Sequence, residues 1–120
     1  MIARIDHVQL AAPKGCEAAA REFYGSMLGL AEIEKPPSLR ARGGCWFQCG
    51  EQQIHIGVEP DFRPAKKAHP AFAVSDLGKL RETLLALAVK ITDDDSILGT
   101  RRFFAEDPWG NRLEFLETNS

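Results

Sequence analysis

The stretch Glu106–Glu117, EDPWGNRLEFLE, combines the residues of a tight turn with the alternation of a β-strand. Its DPWG segment has proline and glycine where a tight turn needs them, and the alternating residues that follow predict a closing strand. Glu114 stands between Leu113 and Phe115 in that strand. A carboxylate among apolar neighbours is costly unless a partner compensates it, so we expect Glu114 to face one.

The composition describes a globular chain that is poorly suited to nucleic acids. Of its 120 residues, 44% are hydrophobic and 27% are charged, and a chain of this length buries roughly two-thirds of its unfolded surface. The net charge is −2, whereas a phosphate-binding surface needs a clear excess of basic residues. We therefore expect one domain over residues 1–120, with a small molecule rather than a nucleic acid as its partner.

The hydropathy argues against a membrane protein, and the number of cysteines argues against an oxidising compartment. No apolar run approaches the ~20 residues needed to cross a bilayer, and the N-terminus lacks the apolar core of a signal peptide. Three cysteines, an odd number, fit free thiols in a reducing compartment. These features predict a cytoplasmic protein without a membrane partner, in which Cys45 and Cys49 are packing thiols on one strand.

The predicted elements follow the order strand, helix and three strands, and this order occurs twice. In the first half the elements are expected at 3–11, 16–28, 30–34, 45–49 and 52–59. In the second half strands are expected at 69–74, 89–91, 102–105 and 112–117, with a helix starting near Leu77 and a loop at 93–96. The chain is thus predicted to be an α+β fold of two βαβββ modules, about 1–60 and about 67–120.

Four potential metal ligands occupy matching places in the two halves. His7 and His69 lie on opening strands, 62 residues apart, and His55 and Glu114 lie on closing strands, 59 residues apart. Alternation places each on the face opposite to the larger apolar residues. Imidazole and carboxylate donors suit Zn, Ni, Co, Mn or Fe, and four protein ligands leave two positions of a six-coordinate ion open. The alternative is that the histidines are packed or solvated and that Glu114 pairs with an arginine.

Four further residues are candidates for contacts with a substrate. Arg42 and Arg102 each offer a planar guanidinium group that suits a carboxylate or a phosphate. Trp46 and Phe47 alternate on the third strand, so one of them faces the core and the other can line a binding site. The simpler interpretation is that the arginines are solvated and that the aromatic residues belong to the core.

Four segments carry a resemblance to known proteins: DHVQLA at 6–11, AREFYGSMLGL at 20–30, HPAFAV at 69–74 and EDPWGNRLEFLE at 106–117. Together they resemble the vicinal oxygen chelate superfamily, also called the glyoxalase/bleomycin-resistance/dioxygenase superfamily. The resemblance covers essentially the whole chain. Its last segment, a DP-x-G-N turn that leads into a LEF strand, is the most specific.

The resemblance implies a cupped, incomplete barrel of two βαβββ modules around one divalent metal ion. It also implies that the chain forms a homodimer, often with sites shared between subunits. Within this resemblance, His7, His69 and Glu114 match the family's metal ligands. His55 stands where glyoxalase I usually carries a glutamate, and this departure argues against lactoylglutathione chemistry.

The resemblance implies four kinds of activity. The first is a glyoxalase-like lyase or isomerase, in which the metal binds two vicinal oxygens of a small substrate and Glu114 is the catalytic base. The second is extradiol ring cleavage with iron(II) held by two histidines and one carboxylate. The third is thiol transfer to an epoxide, as in fosfomycin-resistance relatives. The fourth is drug binding without catalysis, as in bleomycin-resistance proteins. The complete ligand set favours the first.

Overall fold

The computed structural model describes residues 1–118 and divides the chain into two compact units. Unit 1 is Met1–Pro64, and unit 2 begins at Ala65. The division falls inside the segment 59–68, which its two prolines and lack of periodicity predict to be a connector. Within residues 1–118, no helix is long and apolar enough to cross a membrane.

Unit 1 contains a four-stranded sheet with one helical segment and one 3₁₀ helix. Its elements are β1 (His7–Ala12), α1 (Glu17–Ala20), a π-helical segment (Arg21–Met27), β2 (Ala31–Ile33), a 3₁₀ helix (Pro37–Arg42), β3 (Cys45–Cys49) and β4 (Gln52–Val58). The strand order is β1-β4-β3-β2, with β1 parallel to β4 and the other pairs antiparallel. The first strand is shorter than predicted, because pairing with β4 begins at His7.

The helical segment of unit 1 differs from the predicted helix over 16–28. Only one turn is α-helical, and the continuation is π-helical, with the Leu28 amide donating to the Phe23 carbonyl at 2.9 Å. Neighbouring side chains fan out less in the wider π turn, and Phe23 and Tyr24 are both buried. The buried apolar face of this segment is therefore Ala20, Phe23 and Tyr24.

Unit 2 repeats the same topology with five elements. They are β5 (Ala71–Val74), α2 (Leu77–Ala86), β6 (Ile91–Asp94), β7 (Arg102–Glu106) and β8 (Arg112–Glu117). The strand order is β5-β8-β7-β6, with β5 parallel to β8. The Asp76 side chain caps α2 by accepting a hydrogen bond from the Lys79 amide at 3.0 Å. Each unit is a βαβββ module with a mixed sheet, which confirms the α+β class.

One boundary in unit 2 was predicted wrongly. Asp93 and Asp94 were expected in a loop because acidic residues are rare in strands, but both belong to β6. They pair with Phe103 and Arg102 of β7, respectively. Ion pairs with arginines hold the two carboxylates there, Asp93 with Arg81 at 2.6 Å and Asp94 with Arg102 at 3.3 Å. The strand exists because tertiary partners compensate its unfavourable composition.

The DPWG turn before β8 is fixed by a small network of buried polar groups. Asp107 Oδ1 accepts hydrogen bonds from the backbone amides of Trp109 at 3.0 Å and Asn111 at 2.8 Å. The Asn111 amide nitrogen donates to Asp107 Oδ2 at 2.9 Å, and its oxygen accepts from the Ala65 amide at 2.9 Å. Asp107 and Asn111 are therefore structural residues, and they hold the start of the strand that carries Glu114.

Candidate functional site

Each sheet has a core face and a polar face, and the candidate ligands lie on the polar face. In unit 1 the core face carries buried Phe47, Ile54 and Ile56. Because side chains alternate along a strand, Trp46 and His55 point to the opposite face. In unit 2, Leu113 and Phe115 likewise face the core, and Glu114 points the other way.

Three rings stack on the polar face of unit 1. Trp46 lies directly opposite His55 in the sheet register, and their ring centroids are 3.8 Å apart with planes 3° from parallel. His7 covers the other side of His55 at 4.1 Å and 14°. The sandwich leaves His55 only 4% exposed. We call this arrangement the three-ring stack.

Hydrogen bonds and burial keep the imidazoles of unit 1 available as metal donors. The Asp6 carboxylate accepts from His7 Nδ1 at 3.1 Å, so Nε2 of a neutral His7 carries the lone pair. His55 Nε2 is hydrogen-bonded to Gln53 Oε1 at 2.9 Å. Burial, followed by the charge of His7, lowers the pKa of His55. His55 is therefore neutral near pH 7, which is the form that binds metals.

Glu114 of unit 2 faces two partners. Its Oε1 lies 2.9 Å from His69 Nε2, and its Oε2 lies 3.3 Å from Arg102 Nη1. Glu114 is 8% exposed, so these contacts supply the compensation that a buried carboxylate needs. His69 lies just before β5 rather than within it, and its Nδ1 donates to the Lys67 carbonyl at 2.9 Å. The partners of Glu114 are thus both an arginine and a histidine.

Arg102 links Glu114 to the neighbouring strand and loop. Its Nη2 lies 3.3 Å from Asp94 Oδ2 and 3.0 Å from Ser96 Oγ. Two carboxylates therefore balance its single positive charge. Within residues 1–118 its buried Nε finds no hydrogen-bond partner. These contacts make Arg102 a support for Glu114 and leave little of its guanidinium free for a substrate.

The hydrogen bonds of His69 fit a cation beside Glu114. Both ring nitrogens face oxygens, Nδ1 the Lys67 carbonyl and Nε2 the Glu114 carboxylate. A neutral imidazole has one N–H group, and donation to the carbonyl leaves a lone pair on Nε2, so the contact with the carboxylate needs either a second proton on the ring or a shared cation. A divalent cation bound by both groups would satisfy this lone pair and the carboxylate together.

The three-ring stack fits a metal less directly. The lone pairs of imidazole lie in the ring plane, and the planes of His7 and His55 are nearly parallel and separated. Their lone pairs cannot meet at one point until one ring rotates. Within residues 1–118, no three histidine, cysteine, aspartate or glutamate side chains form a ready group for a metal. The structure thus shows the predicted ligands as two pairs, one in each unit.

The four candidate substrate contacts lie in different environments. Phe47 is completely buried against Tyr24 in the core of unit 1, which assigns it to packing. Trp46 points to the polar face and is partly exposed. Arg42 is exposed at the end of the 3₁₀ helix, and Arg102 is occupied by Glu114 and Asp94.

The sequence interpretation missed two residues of the polar face of unit 2. Phe104 lies opposite Glu114 in the register and contacts the His69 ring edge-on, with centroids 5.5 Å apart. The Arg112 guanidinium carbon lies 3.9 Å from the centroid of the Phe104 ring. The signal for Arg112 was present, because alternation places it on the same face as Glu114.

The chain matches one protein family over nearly its whole length. The family model for the Glyoxalase/Bleomycin resistance protein/Dioxygenase superfamily matches residues 4–115. The comparison with curated protein sequences gave no match.

Solved structures with the same fold include a close relative in sequence. One is described as a glyoxalase family protein from Bacillus anthracis; it is 51% identical, has a TM-score of 0.95, and the alignment covers 99% of this chain and 98% of that one. A lactoylglutathione lyase from Agrobacterium tumefaciens is 22% identical, with a TM-score of 0.73 and coverages of 97% and 94%. A fosfomycin resistance protein from Listeria monocytogenes is 18% identical, with a TM-score of 0.78 and coverages of 99% and 96%. The last two show similarity of fold alone.

Proposed function

Because the chain belongs to the Glyoxalase/Bleomycin resistance protein/Dioxygenase superfamily, we propose that it is a metal-dependent lyase or isomerase. Its substrate would be a small molecule that binds the metal through two vicinal oxygens. The observation that carries the proposal is the pairing of buried Glu114 with His69 at 2.9 Å. A buried carboxylate beside an imidazole is a donor set suited to divalent cations.

The proposed ligands of one divalent ion are His7, His55, His69 and Glu114. Their donor atoms suit Zn, Ni, Co, Mn or Fe. His7 and His69 each have a ring nitrogen fixed by an oxygen acceptor, which leaves the other nitrogen for the metal. His55 would join after its ring rotates out of the three-ring stack.

When bound, the ion would act as a Lewis acid toward two substrate oxygens. Glu114 would supply the acid–base chemistry by taking a proton from one carbon and returning it to the adjacent carbon or oxygen. Arg102 holds Oε2 of Glu114 at 3.3 Å and so orients the carboxylate. Trp46, partly exposed on the polar face of unit 1, would offer an apolar surface to the substrate.

We also propose a cytoplasmic homodimer without nucleic acid or membrane partners. Within residues 1–118, the three cysteines are free thiols. Burial raises the pKa of Cys16 to about 11 and also raises the pKa of Cys45, so neither is a reactive thiol. Free, unreactive thiols support a reducing compartment.

The three-ring stack favours a second candidate function. If His55 stays between Trp46 and His7, the remaining set is two histidines and one carboxylate: His7, His69 and Glu114. That set suits iron(II) and extradiol ring cleavage, and the resemblance associates it with thiol transfer to epoxides as well. The role of His55 therefore separates the two candidates.

The test is the metal content of untagged protein purified without a chelator. Wild type should carry close to one divalent ion per chain, and Glu114→Gln should lose it, because an amide is a much weaker ligand than a carboxylate. Glu117→Gln is the matched control. It removes a carboxylate from the same strand, and this carboxylate pairs with Arg101 at 2.9 Å. Equal occupancy in Glu114→Gln and Glu117→Gln would refute the site.

His55→Ala distinguishes the candidate functions. Loss of the metal in this variant supports the four-ligand site and lyase or isomerase chemistry. Retained iron supports the three-ligand site and ring cleavage. A wild type that binds no divalent ion even after soaking would refute both enzyme candidates and favour drug binding without catalysis.

A further inference from the structure

Unit 2 has a basic groove next to Phe104. This cavity of about 210 Å³ is lined by side chains that include Lys66, Lys90, Phe104, Glu106 and Arg112. We call it the Arg112 groove. Phe104 connects it to the candidate site, because the same ring contacts both His69 and Arg112.

Arg112 is held in an unusual environment for a surface arginine. Its guanidinium carbon lies 3.9 Å from the centroid of the Phe104 ring, so the aromatic face stabilises the cation. Within residues 1–118, no carboxylate lies within ion-pair distance of Arg112. The contact with the ring face forms no ion pair, so the guanidinium keeps N–H donors that can meet a planar oxyanion.

The other charges of the groove do not neutralise Arg112. Glu106 is the carboxylate of the groove, and it is bound by Lys90 at 3.0 Å and Lys66 at 3.4 Å. Lys90 first, and then Lys66, lowers the pKa of Glu106, which is therefore ionised at neutral pH. Three cationic side chains and one carboxylate leave the groove with a net charge of +2. The groove therefore attracts anions.

A second groove in unit 2 provides a contrast. It has a volume of about 410 Å³ and is also lined by arginines, but these arginines are paired with carboxylates. Arg81 pairs with Asp93 at 2.6 Å, and Arg102 pairs with Asp94 at 3.3 Å. Its charges are already satisfied within the unit, so the Arg112 groove is the better site for an external anion.

We propose that the Arg112 groove binds an oxyanionic group, a carboxylate or a phosphate, of a small ligand. The guanidinium of Arg112 would form a bidentate pair with the oxyanion, and Lys66 and Lys90 would add charge at the rim. Where the proposed function holds, this group would be the anionic end of the substrate, because Phe104 contacts both Arg112 and His69. The binding site itself does not depend on a metal.

The test is a titration of the full-length chain with inorganic phosphate and, separately, with acetate, followed by NMR. It is done on wild type and on Glu114→Gln, so that an anion bound to a metal is distinguished from one bound in the groove. The Arg112 side-chain signal should shift in both proteins. Arg112→Gln should raise the dissociation constant at least about tenfold.

Arg101→Gln is the matched control, because it removes an arginine of unit 2 that is paired with Glu117 and highly exposed. It should change the dissociation constant by less than about twofold, since exposed charges are screened. Arg112→Lys keeps the charge but not the planar fork, and it should bind between wild type and Arg112→Gln.

Each outcome of the titration has a definite meaning. Binding of phosphate alone, of acetate alone, or of both supports the proposal and identifies the oxyanion. No binding of either anion to wild type, or equal weakening in Arg101→Gln and Arg112→Gln, overturns it. Binding that disappears in Glu114→Gln also overturns it, because the anion would then be at the metal. A wild type that binds the anion but no divalent ion would refute only the proposed function.

Discussion

His55 and Glu114 occupy the same register position in the two units. His55 lies opposite Gln9 of β1, two residues after His7, and Glu114 lies opposite Ala71 of β5, two residues after His69. His7 and His55 are therefore a diagonal pair across β1 and β4, and His69 has the same offset from Glu114 although it lies just before β5. This shared register is the structural basis of the similar spacings of 62 and 59 residues in the sequence.

The same register places an aromatic residue beside each pair. Trp46 lies opposite His55, and Phe104 lies opposite Glu114. In unit 1 the aromatic residue extends a stack of rings, whereas in unit 2 it contacts a histidine edge and supports an arginine. Two copies of one topology thus carry different chemistry on equivalent faces.

We predict that Trp46→Ala raises the pKa of His55 toward its ordinary value of 6.5. Burial is the largest cause of the lowered pKa, and Trp46 covers one face of the ring. Trp46→Phe should retain most of the effect. Titration of the His55 ring signal by NMR, in the presence of a chelator, measures the change. An unchanged pKa in Trp46→Ala would show that the indole does not shield His55.

The lowered pKa of His55 also predicts the direction of a stability change with pH. The His55 imidazole binds a proton more readily in the unfolded chain than in the folded chain. Protonation of His55 therefore lowers the free energy of unfolding as the pH falls below about 6.5. His55→Phe should reduce this loss between pH 7 and pH 5, and the free energy of unfolding in urea measures it. A steeper loss in the variant would contradict the prediction.

Gly44→Ala should destabilise the protein by at least about 3 kcal/mol. Gly44 has φ +85°, and an added Cβ would lie 2.0 Å from the Ile56 carbonyl oxygen. Gly15→Ala is the matched control, because Gly15 has φ +83° but no atom within 4 Å of the added Cβ. Gly15→Ala should cost only about 1 kcal/mol from the backbone conformation. Urea unfolding measures the loss of stability in each variant. Equal losses in Gly44→Ala and Gly15→Ala would exclude the clash with the Ile56 carbonyl as the cause.

Glu17 should contribute stability that disappears in acid. Its Oε2 accepts a hydrogen bond from the Gly44 amide at 2.6 Å, and this bond is the main reason that the pKa of Glu17 lies below 4.5. The unfolded carboxyl takes up a proton first, so the contribution is present above about pH 4.5 and is lost as the pH falls through the folded pKa. Glu17→Gln should remove about 1 kcal/mol at pH 7 and little at pH 3.

The control for Glu17 is Glu22→Gln, an exposed glutamate of the π-helical segment. It should leave the free energy of unfolding nearly unchanged at both pH values. If Glu17→Gln lowers the free energy of unfolding equally at pH 7 and pH 3, the charge of the Glu17 carboxylate does not contribute to stability.

Arg102→Met should destabilise the protein by about 2 kcal/mol. The change leaves Glu114 and Asp94 without the cation between them, and the Arg102 side chain is only 15% exposed. Arg101→Met, whose side chain is 67% exposed, should cost less than about 0.5 kcal/mol. Urea unfolding of the two variants measures the difference, and equal losses would refute a structural role for the Arg102 pairs.

The sequence by itself determined the repeated βαβββ order, the turn before β8 and the face on which each candidate ligand lies. These features depend on local rules, because alternation has a period of two residues and the turn needs particular residue types. His7, His55 and Glu114 could therefore be placed opposite the apolar residues of their strands without coordinates. The same rule placed Arg112 beside Glu114, although its role was not recognised.

Only the tertiary structure decided what each of these side chains contacts. The register between strands brings Trp46 onto His55, Arg102 onto Glu114 and Phe104 under Arg112. The strand at Asp93 and Asp94 also depends on its ion pairs with Arg81 and Arg102. Local patterns fix the direction of a side chain, but the free energy of its contacts comes from neighbours that only the register of the folded sheet brings together.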